Sequence, residues 1–397
     1  MRRLLGALLI PWLACSDDAP VDDGATSSVG GTSASSVVVT VASTASGGVD
    51  LPPEFTIDGV VVDEDGAPVA DAIVLQGGRT DEPTETSAAD GTFTLTMRYE
   101  GMGVPAVVAT KTGYRTAGVE FYALPDEAVT LTLYSVNPPD NTDYLYGEPG
   151  DGNGPSTAYC GHCHNTFADQ FTASKHKQAT KNPLVQDTYA GVTQAFTTQA
   201  SCTAAGGSWK VGLVPGTSAD TTNKCYLGGG VLPDLNTGCG GPSQPACDHP
   251  ASTPSAFGAC ADCHAPGIEG VAGGRNLHDA VGIAFDNGVH CDPCHKVSFV
   301  DPTQPAGVGG KLVVQRPIER VGLNPRQVMF GPLLDVPNSF MGGSYQPQFA
   351  EAVFCSGCHE QLQPALIPGQ SLNATRWPDG LPVHSTYSEW LSGPFAA

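Results

Sequence analysis

Four short cysteine motifs set the chemistry that this sequence can perform. Each has two cysteines separated by two residues, with a histidine directly after the second cysteine. In a chain with 13 Cys and 10 His among 397 residues, chance would rarely produce one copy, so four copies indicate a shared function. The motifs are Cys160-Gly161-His162-Cys163-His164, Cys260-Ala261-Asp262-Cys263-His264, Cys291-Asp292-Pro293-Cys294-His295 and Cys355-Ser356-Gly357-Cys358-His359.

This pattern is the attachment motif of haem c. The two thiols add to the two vinyl groups of the porphyrin, and the following histidine lies under the iron as its proximal axial ligand. The sequence therefore predicts four covalently attached haem c groups. The cysteines that would bind them are Cys160, Cys163, Cys260, Cys263, Cys291, Cys294, Cys355 and Cys358, and the proximal ligands would be His164, His264, His295 and His359.

Two other kinds of site also use paired cysteines. Zinc ribbons bind the metal with four thiolate or imidazole ligands, and thioredoxin-like sites place the pair near a βαβ pattern. Neither needs a histidine after every second cysteine, and no βαβ pattern is visible here. Both interpretations are therefore weaker than haem attachment.

A six-coordinate haem needs a second strong ligand, usually His or Met. Six histidines remain after the proximal set, and four of them match the four haems in number: His176, His278, His290 and His384. The other two, His162 inside an attachment loop and His249 in a Gly/Pro-rich stretch, are interpreted as solvent-exposed. Met329 and Met341 are alternative ligands, although a methionine more often packs in a core.

The cysteines outside the motifs predict disulfides. Cys202, Cys225, Cys239 and Cys247 lie in a Gly-, Pro- and Thr-rich stretch at about 190–255. In an oxidising compartment an even number of cysteines indicates disulfide bonds. Their order favours the pairs 202–225 and 239–247, although the four can pair in three ways. The stretch is interpreted as an insertion, because it widens the first gap between motifs.

One segment resembles a known haem protein family. The stretch YCGHCHNTFADQFTASKHKQA (159–179) is similar to the cytochrome c-552/4 domain, with Phe171 where that family often has Trp. The resemblance implies that His176 is a distal ligand, and it extends over roughly 155–397 apart from the insertion. It implies a tetrahaem cytochrome c domain at 150–397 that is mostly α-helical or irregular and rich in loops.

The N-terminus has the organisation of an export signal. Arg2 and Arg3 precede an apolar run, Leu4 to Ala14, that is too short to span a bilayer. The run ends at Ala14-Cys15, which resembles a bacterial lipobox. Residues 1–14 are therefore predicted to be a signal peptide and Cys15 the lipidated residue, and the alternative is an ordinary signal peptide.

Residues 15–54 are predicted to be a disordered tether. They are rich in small and polar residues and contain no Lys, Arg or aromatic residue, so they cannot bury enough apolar surface to fold. Export and lipidation together predict a lipoprotein of the bacterial cell envelope, in the periplasm or at the outer membrane or cell surface. We expect membrane contact through the lipid anchor only.

Residues 55–136 predict a small β-sandwich. Short β-branched runs alternate with turn signals such as Asp90-Gly91, and residues 92–96 alternate polar and apolar side chains. The stretches GVVVDEDGAPVADAIV (59–74), TSAADGTFTL (86–95) and ATKTGYR (109–115) resemble the carboxypeptidase regulatory-like domain. This resemblance implies a prealbumin-like sandwich of seven strands that serves as a spacer or docking module without chemistry of its own.

The charge balance excludes one class of partner. Acidic residues outnumber basic ones by 40 to 18, which gives a net charge of −22. Because affinity for nucleic acid comes from Lys and Arg, a nucleic-acid partner is not expected. The partners that fit are redox proteins.

Three functions follow from this multidomain organisation. The first is electron transfer by an exported tetrahaem cytochrome with bis-His haems. The second is a multihaem oxidoreductase that acts on a small nitrogen or sulfur compound, which would require one open iron. The third is a surface-binding lipoprotein in which the sandwich is the binding module. No catalytic residue is predicted, so an electron carrier is favoured over an enzyme.

Overall fold

The computed structural model combines several small sheets with short helices and long loops. The predicted signal peptide, Cys15 and nearly all of the tether lie outside the described residues. No helix in the described part of the chain is long and apolar enough to cross a membrane. The described residues are 49–79, 83–136, 140–146, 160–161, 164–189, 192–193, 196–211, 223–226, 260–316, 328–337, 342–363, 375, 381–394 and 396.

The N-terminal part is sandwich-like, with two sheets packed face to face. One described sheet has the order β4-β1-β7 and the other β3-β2-β5-β6. β1 runs antiparallel to β4 and parallel to β7. The strands are β1 (Glu54–Asp63), β2 (Ile73–Gln76), β3 (Glu85–Thr86), β4 (Thr92–Arg98), β5 (Ala106–Thr110), β6 (Ala117–Glu120) and β7 (Val129–Leu133).

Apolar side chains that alternate with polar ones along the strands form the core of the sandwich. Along β4, Phe93, Leu95 and Met97 are buried while the threonines between them are exposed, because successive side chains of a strand point to opposite faces. Gly59 on β1 makes room for the Phe93 ring, since a Cβ there would lie 2.4 Å from Cζ. The core joins apolar residues of both sheets.

Short helices and strands alternate after residue 160. The helices are α1 (Asn165–Thr172), α2 (Pro183–Tyr189), α3 (Gln199–Ala204), α4 (Cys260–His264), α5 (Gly282–Asn287), α6 (Cys291–Cys294) and α7 (Thr386–Leu391), with 3₁₀ turns at Leu277–Asp279, Pro347–Ala350 and Ala352–Gly357. The strands are β8 (Val192–Thr193), β9 (Ser208–Val211), β10 (Asn223–Tyr226), β11 (Val297–Val300), β12 (Leu312–Val314), β13 (Val328–Gly331), β14 (Gly342–Tyr345), β15 (Gln361–Gln363) and β16 (Leu381–His384).

These strands make the C-terminal region more mixed than the sequence predicted. A mostly helical or irregular region was expected, but strands pair as β8-β10-β9, β11-β12, β13-β14 and β15-β16. The β13-β14 pair is parallel and the others are antiparallel. β-branched and aromatic residues favour strands, and β11 (VSFV) and β12 (LVV) contain them.

One disulfide lies within the stretch interpreted as an insertion. Cys202 of α3 and Cys225 of β10 are joined, with S–S 2.02 Å and Cα atoms 5.6 Å apart. Both residues are fully buried. Lys224 of β10 forms an ion pair with buried Asp187 of α2. This ion pair connects the sheet β8-β10-β9 to α2. Cys239 and Cys247 lie outside the described residues, so their pairing stays a prediction.

A buried ion pair ties the segment after the sandwich to the C-terminal region. The Arg316 side chain is fully buried, and its Nε donates to Asp140 Oδ1 at 2.9 Å. Its Nη2 donates to Asp140 Oδ2 and also to the Gly270 carbonyl, the latter at 2.8 Å. Its guanidinium lies 5.6 Å from the ring of Tyr146. Residues 140–146 are thereby fixed against the end of β12.

Asp140→Asn should destabilise the protein. The substitution leaves the Arg316 charge buried and poorly compensated, and because the Asp140 side chain is 24% exposed we expect a loss of about 2 to 3 kcal/mol, at or below the usual range for breaking a buried pair. Urea titration of the free energy of unfolding measures this loss. Asp126→Asn, at an exposed loop position, is the matched control and should stay within about 0.5 kcal/mol of wild type.

Candidate functional site

In the described residues each motif begins a helical turn at its first cysteine; the second and third motifs are α-helical, whereas residues 355–357 end a 3₁₀ turn. The N–H groups of His164, His295 and His359 donate to the carbonyl of the first cysteine in their motif, at 2.8, 3.1 and 2.8 Å. The second motif is helix α4 itself. Positions i, i+3 and i+4 share one side of a helical turn. The second, third and fourth motifs can therefore each present two thiols and an imidazole from the same side.

Thiols of different motifs lie next to each other. Cys160 is hydrogen-bonded to Cys291, and Cys263 to Cys358; these contacts and burial raise the pKa of Cys160 and of Cys263. Burial and three neighbouring thiols raise the pKa of Cys294 to about 12. The described motif thiols with shifted pKa values are thus protonated at neutral pH. Cys163 lies outside the described residues.

Backbone carbonyls orient two of the predicted proximal histidines. His295 Nδ1 donates to the carbonyl of Phe330 at 2.7 Å, and its ring stacks on Phe349 with centroids 5.2 Å apart. The ring of His264 is hydrogen-bonded to the backbone of Ala179. A histidine whose Nδ1–H is engaged in this way has Nε2 left for a metal. His295 therefore has the tautomer that an axial ligand needs.

Two predicted distal histidines flank the fourth motif. The His384 ring lies 4.8 Å from the His359 ring, and the His176 ring lies 6.1 Å from it on another segment. His384 also interacts electrostatically with His264. The fold thus brings His176 and His384 together with the fourth motif. His384 lies close to this motif in the sequence, whereas His176 lies far before it.

Of the other two distal candidates, His278 lies near the second motif and His290 directly precedes the third. The His278 ring is 5.0 Å from the ring of Tyr189, which packs in an apolar cluster with Ala261 and Ala265. His290 is buried, and its Nε2 faces Gly267, where a Cβ would lie 2.3 Å away. His162, His249 and Met341 lie outside the described residues.

Burial keeps four of the described imidazoles uncharged near neutral pH. It lowers the pKa of His290 to about 4, and it lowers the pKa values of His264, His295 and His359. Because only a neutral imidazole can coordinate a metal through a ring nitrogen, these side chains are ready to act as ligands near neutral pH. Met329, the alternative ligand that the structure describes, instead lies 3.7 Å from Lys296 Nζ.

Acidic residues inside two motifs have structural roles that the sequence did not reveal. Asp262 accepts from the N–H groups of Gly274 and Val308 at 3.1 Å. Asp292 accepts from the hydroxyl of Tyr144 at 2.8 Å. Both carboxylates are buried and anchor their motif to a distant loop. In the described ranges no three His, Cys, Asp or Glu side chains are grouped so that they could hold a metal ion.

Comparison with protein-family models and with curated proteins gives no match. Among solved structures, the chain is similar to 3-chlorocatechol 1,2-dioxygenase from Rhodococcus opacus, with 15% sequence identity and a TM-score of 0.18. The similarity covers 22% of this chain and 62% of that enzyme, less than two thirds of its length. A TM-score this low does not bear on fold or function.

Gly267→Ala should destabilise the protein by displacing the His290 ring. The added Cβ would lie 2.3 Å from Nε2 of this buried side chain, and such overpacking typically costs about 1 to 3 kcal/mol. The free energy of unfolding measures the effect. Gly331→Ala is the control, because nothing lies within 4 Å of its Cβ position, and it should change stability by less than about 0.5 kcal/mol. Equal losses in both variants would contradict the role of Gly267.

Proposed function

We propose that this chain is an exported tetrahaem c-type cytochrome that transfers electrons in the cell envelope. The observation that carries the proposal is the fourfold Cys-x-x-Cys-His motif. In the first, third and fourth copies the histidine N–H donates to the carbonyl of the first cysteine, and the second copy is helix α4. Four copies of one sequence pattern support one shared chemistry. When bound, each haem c supplies an iron centre that accepts and releases one electron.

The side chains around the motifs fit a covalently attached haem. The thiols of each motif would hold the porphyrin through thioether bonds, and His164, His264, His295 and His359 would ligate the iron. The hydrogen bond from His295 Nδ1 to Phe330, at 2.7 Å, supports this fit because it directs the free Nε2 away from the carbonyl. Burial keeps the histidines with lowered pKa values neutral, as ligation requires.

The number of the remaining histidines favours electron transfer over catalysis, because four candidate distal ligands match four proximal histidines. His176 and His384 lie against the fourth motif, His278 lies beside the second, and His290 directly precedes the third and faces Gly267. Such imidazoles would fill the second axial position of the irons, and a saturated iron has no position for a substrate. The partners are then redox proteins, which exchange electrons at the protein surface.

Haem counting tests the proposal. When the chain is matured with the covalent haem-attachment machinery, a pyridine haemochrome assay should give four haems per chain. The double variant Cys355→Ser/Cys358→Ser should give three, because it removes both thioether bonds of one motif. Cys202→Ser is the matched control. It removes one sulfur atom of the Cys202–Cys225 disulfide and should leave four haems per chain. A protein that takes up no haem would contradict the proposal.

The spin state separates the carrier from an enzyme. The ferric protein should show low-spin signals only, and the reduced protein should not bind carbon monoxide, since each iron would have two imidazole ligands. His384→Ala should convert one haem to a carbon-monoxide-binding form because it removes a candidate distal ligand. A high-spin haem in the fully loaded wild type would instead favour a multihaem oxidoreductase.

A further inference from the structure

We propose that the β-sandwich positions His295, the proximal histidine of the third motif, through the strand pair β13-β14. The inference rests on the proposed function, because it treats His295 as an iron ligand. It gives the sandwich a role beyond that of a spacer. Three successive layers of contact carry it.

The first layer joins the sandwich to β14. The N–H of Thr116 donates to the carbonyl of Gly343 at 2.8 Å. The hydroxyl of Ser344 donates to the carbonyl of Tyr114 at 2.9 Å. Thr116 and Ser344 are both buried. The sandwich and β14 thus each supply one donor, and both donors are shielded from water. We conclude that these hydrogen bonds hold β14 firmly against the sandwich.

Neighbouring contacts make this join close. The Arg115 guanidinium lies over Gly342, where a Cβ would be 2.1 Å from Nη2. Pro337 packs on Gly118 of β6, where a Cβ would be 2.9 Å from Cγ of the proline. The N–H of Gly78 donates to the carboxylate of Asp335 at 2.8 Å. The segment before β14 is therefore also held by the sandwich.

The second layer joins β14 to β13. The two strands pair in parallel, with Ser344 opposite Phe330 and Gly342 opposite Val328. Val328 and Phe330 are buried with Val136, which directly follows the sandwich. β13 thus contacts the sandwich through β14, and its own side chains pack on Val136, three residues after the last sandwich strand.

The third layer joins β13 to the third motif. The N–H of Phe330 donates to the carbonyl of His295 at 2.9 Å, and His295 Nδ1 donates to the carbonyl of Phe330 at 2.7 Å. The fully buried Nζ of Lys296 donates to the carbonyl of Val328 at 2.7 Å. The backbone of β13 therefore holds both the main chain and the ring of His295.

The second motif provides an internal contrast. The His264 ring is hydrogen-bonded to Ala179, and Thr180 Oγ1 donates to the carbonyl of His264 at 2.7 Å. Residues 179–180 follow α1 and belong to the C-terminal region. A disturbance of the contact between the sandwich and β14 should therefore reach His295 and not His264.

Weaker support of His295 should change the reduction potential of its haem in one direction. A hydrogen bond from Nδ1–H to a carbonyl makes the imidazole a stronger electron donor to its metal, which stabilises the ferric form. If the sandwich no longer supports β13, this hydrogen bond weakens. The reduction potential of one haem should then rise while the other three stay unchanged.

Two variants of the full-length haem-loaded chain test the inference from opposite sides. Ser344→Ala removes the hydroxyl that reaches Tyr114. Gly118→Val acts from the sandwich side by pushing on Pro337. Thr94→Ala is the matched control, because Thr94 Oγ1 also makes one hydrogen bond, to Asp58 at 2.6 Å, but lies on the other sheet of the sandwich.

The readouts are spectropotentiometric titration, ferric low-spin electron paramagnetic resonance and haem count. We expect four haems in each variant, with one raised potential and one shifted low-spin signal in Ser344→Ala and Gly118→Val, and none in Thr94→Ala. Unchanged potentials and signals in both variants would overturn the inference and leave the proposed function standing. An equal shift of all four haems would also overturn it. Absence of haem from wild type would overturn the proposed function itself.

Discussion

The C-terminal region depends on one hydrogen bond that recurs in its cysteine motifs. In the first, third and fourth motifs the histidine N–H returns to the carbonyl of the first cysteine, and the second motif is a full helical turn. This closure brings the donors of a motif to one side of a turn. The short helices, strand pairs and loops around the motifs bring thiols of different motifs into contact. A region organised in this way needs little regular secondary structure.

The two halves of the chain are stabilised differently. The sandwich has a large apolar core drawn from both of its sheets. The apolar clusters around the motifs are smaller, and buried polar groups such as Asp262, Asp292 and Arg316 lie between them. Buried charges stabilise a fold only when they are paired and hydrogen-bonded, and these three are. Polar anchoring thus replaces part of the apolar packing in the C-terminal region.

Local patterns could be predicted from the sequence, and long-range backbone contacts could not. The alternation along residues 92–96 predicted a half-buried strand, and β4, which extends to Arg98, has that burial pattern. By contrast, the carbonyl of Phe330 that bonds His295 lies 35 residues away in the chain, and a carbonyl has no side-chain signature. Asp140 pairs with Arg316 across 176 residues, and no spacing rule connects the two. The short strands of the C-terminal region were missed because two to four residues give too little periodicity to recognise.

The contact at Thr116 and Tyr114 also covers a vulnerable part of the sandwich. β6 is the last strand of the sheet β3-β2-β5-β6, and the residues leading into it bond to Gly343 and Ser344 rather than to water. Unpaired strand edges promote association between chains. The strand pair β13-β14 therefore shields one end of this edge. A chain that loses the C-terminal region would expose polar backbone groups to pairing with a neighbouring molecule, so the same segment that contacts His295 also protects the sandwich from aggregation.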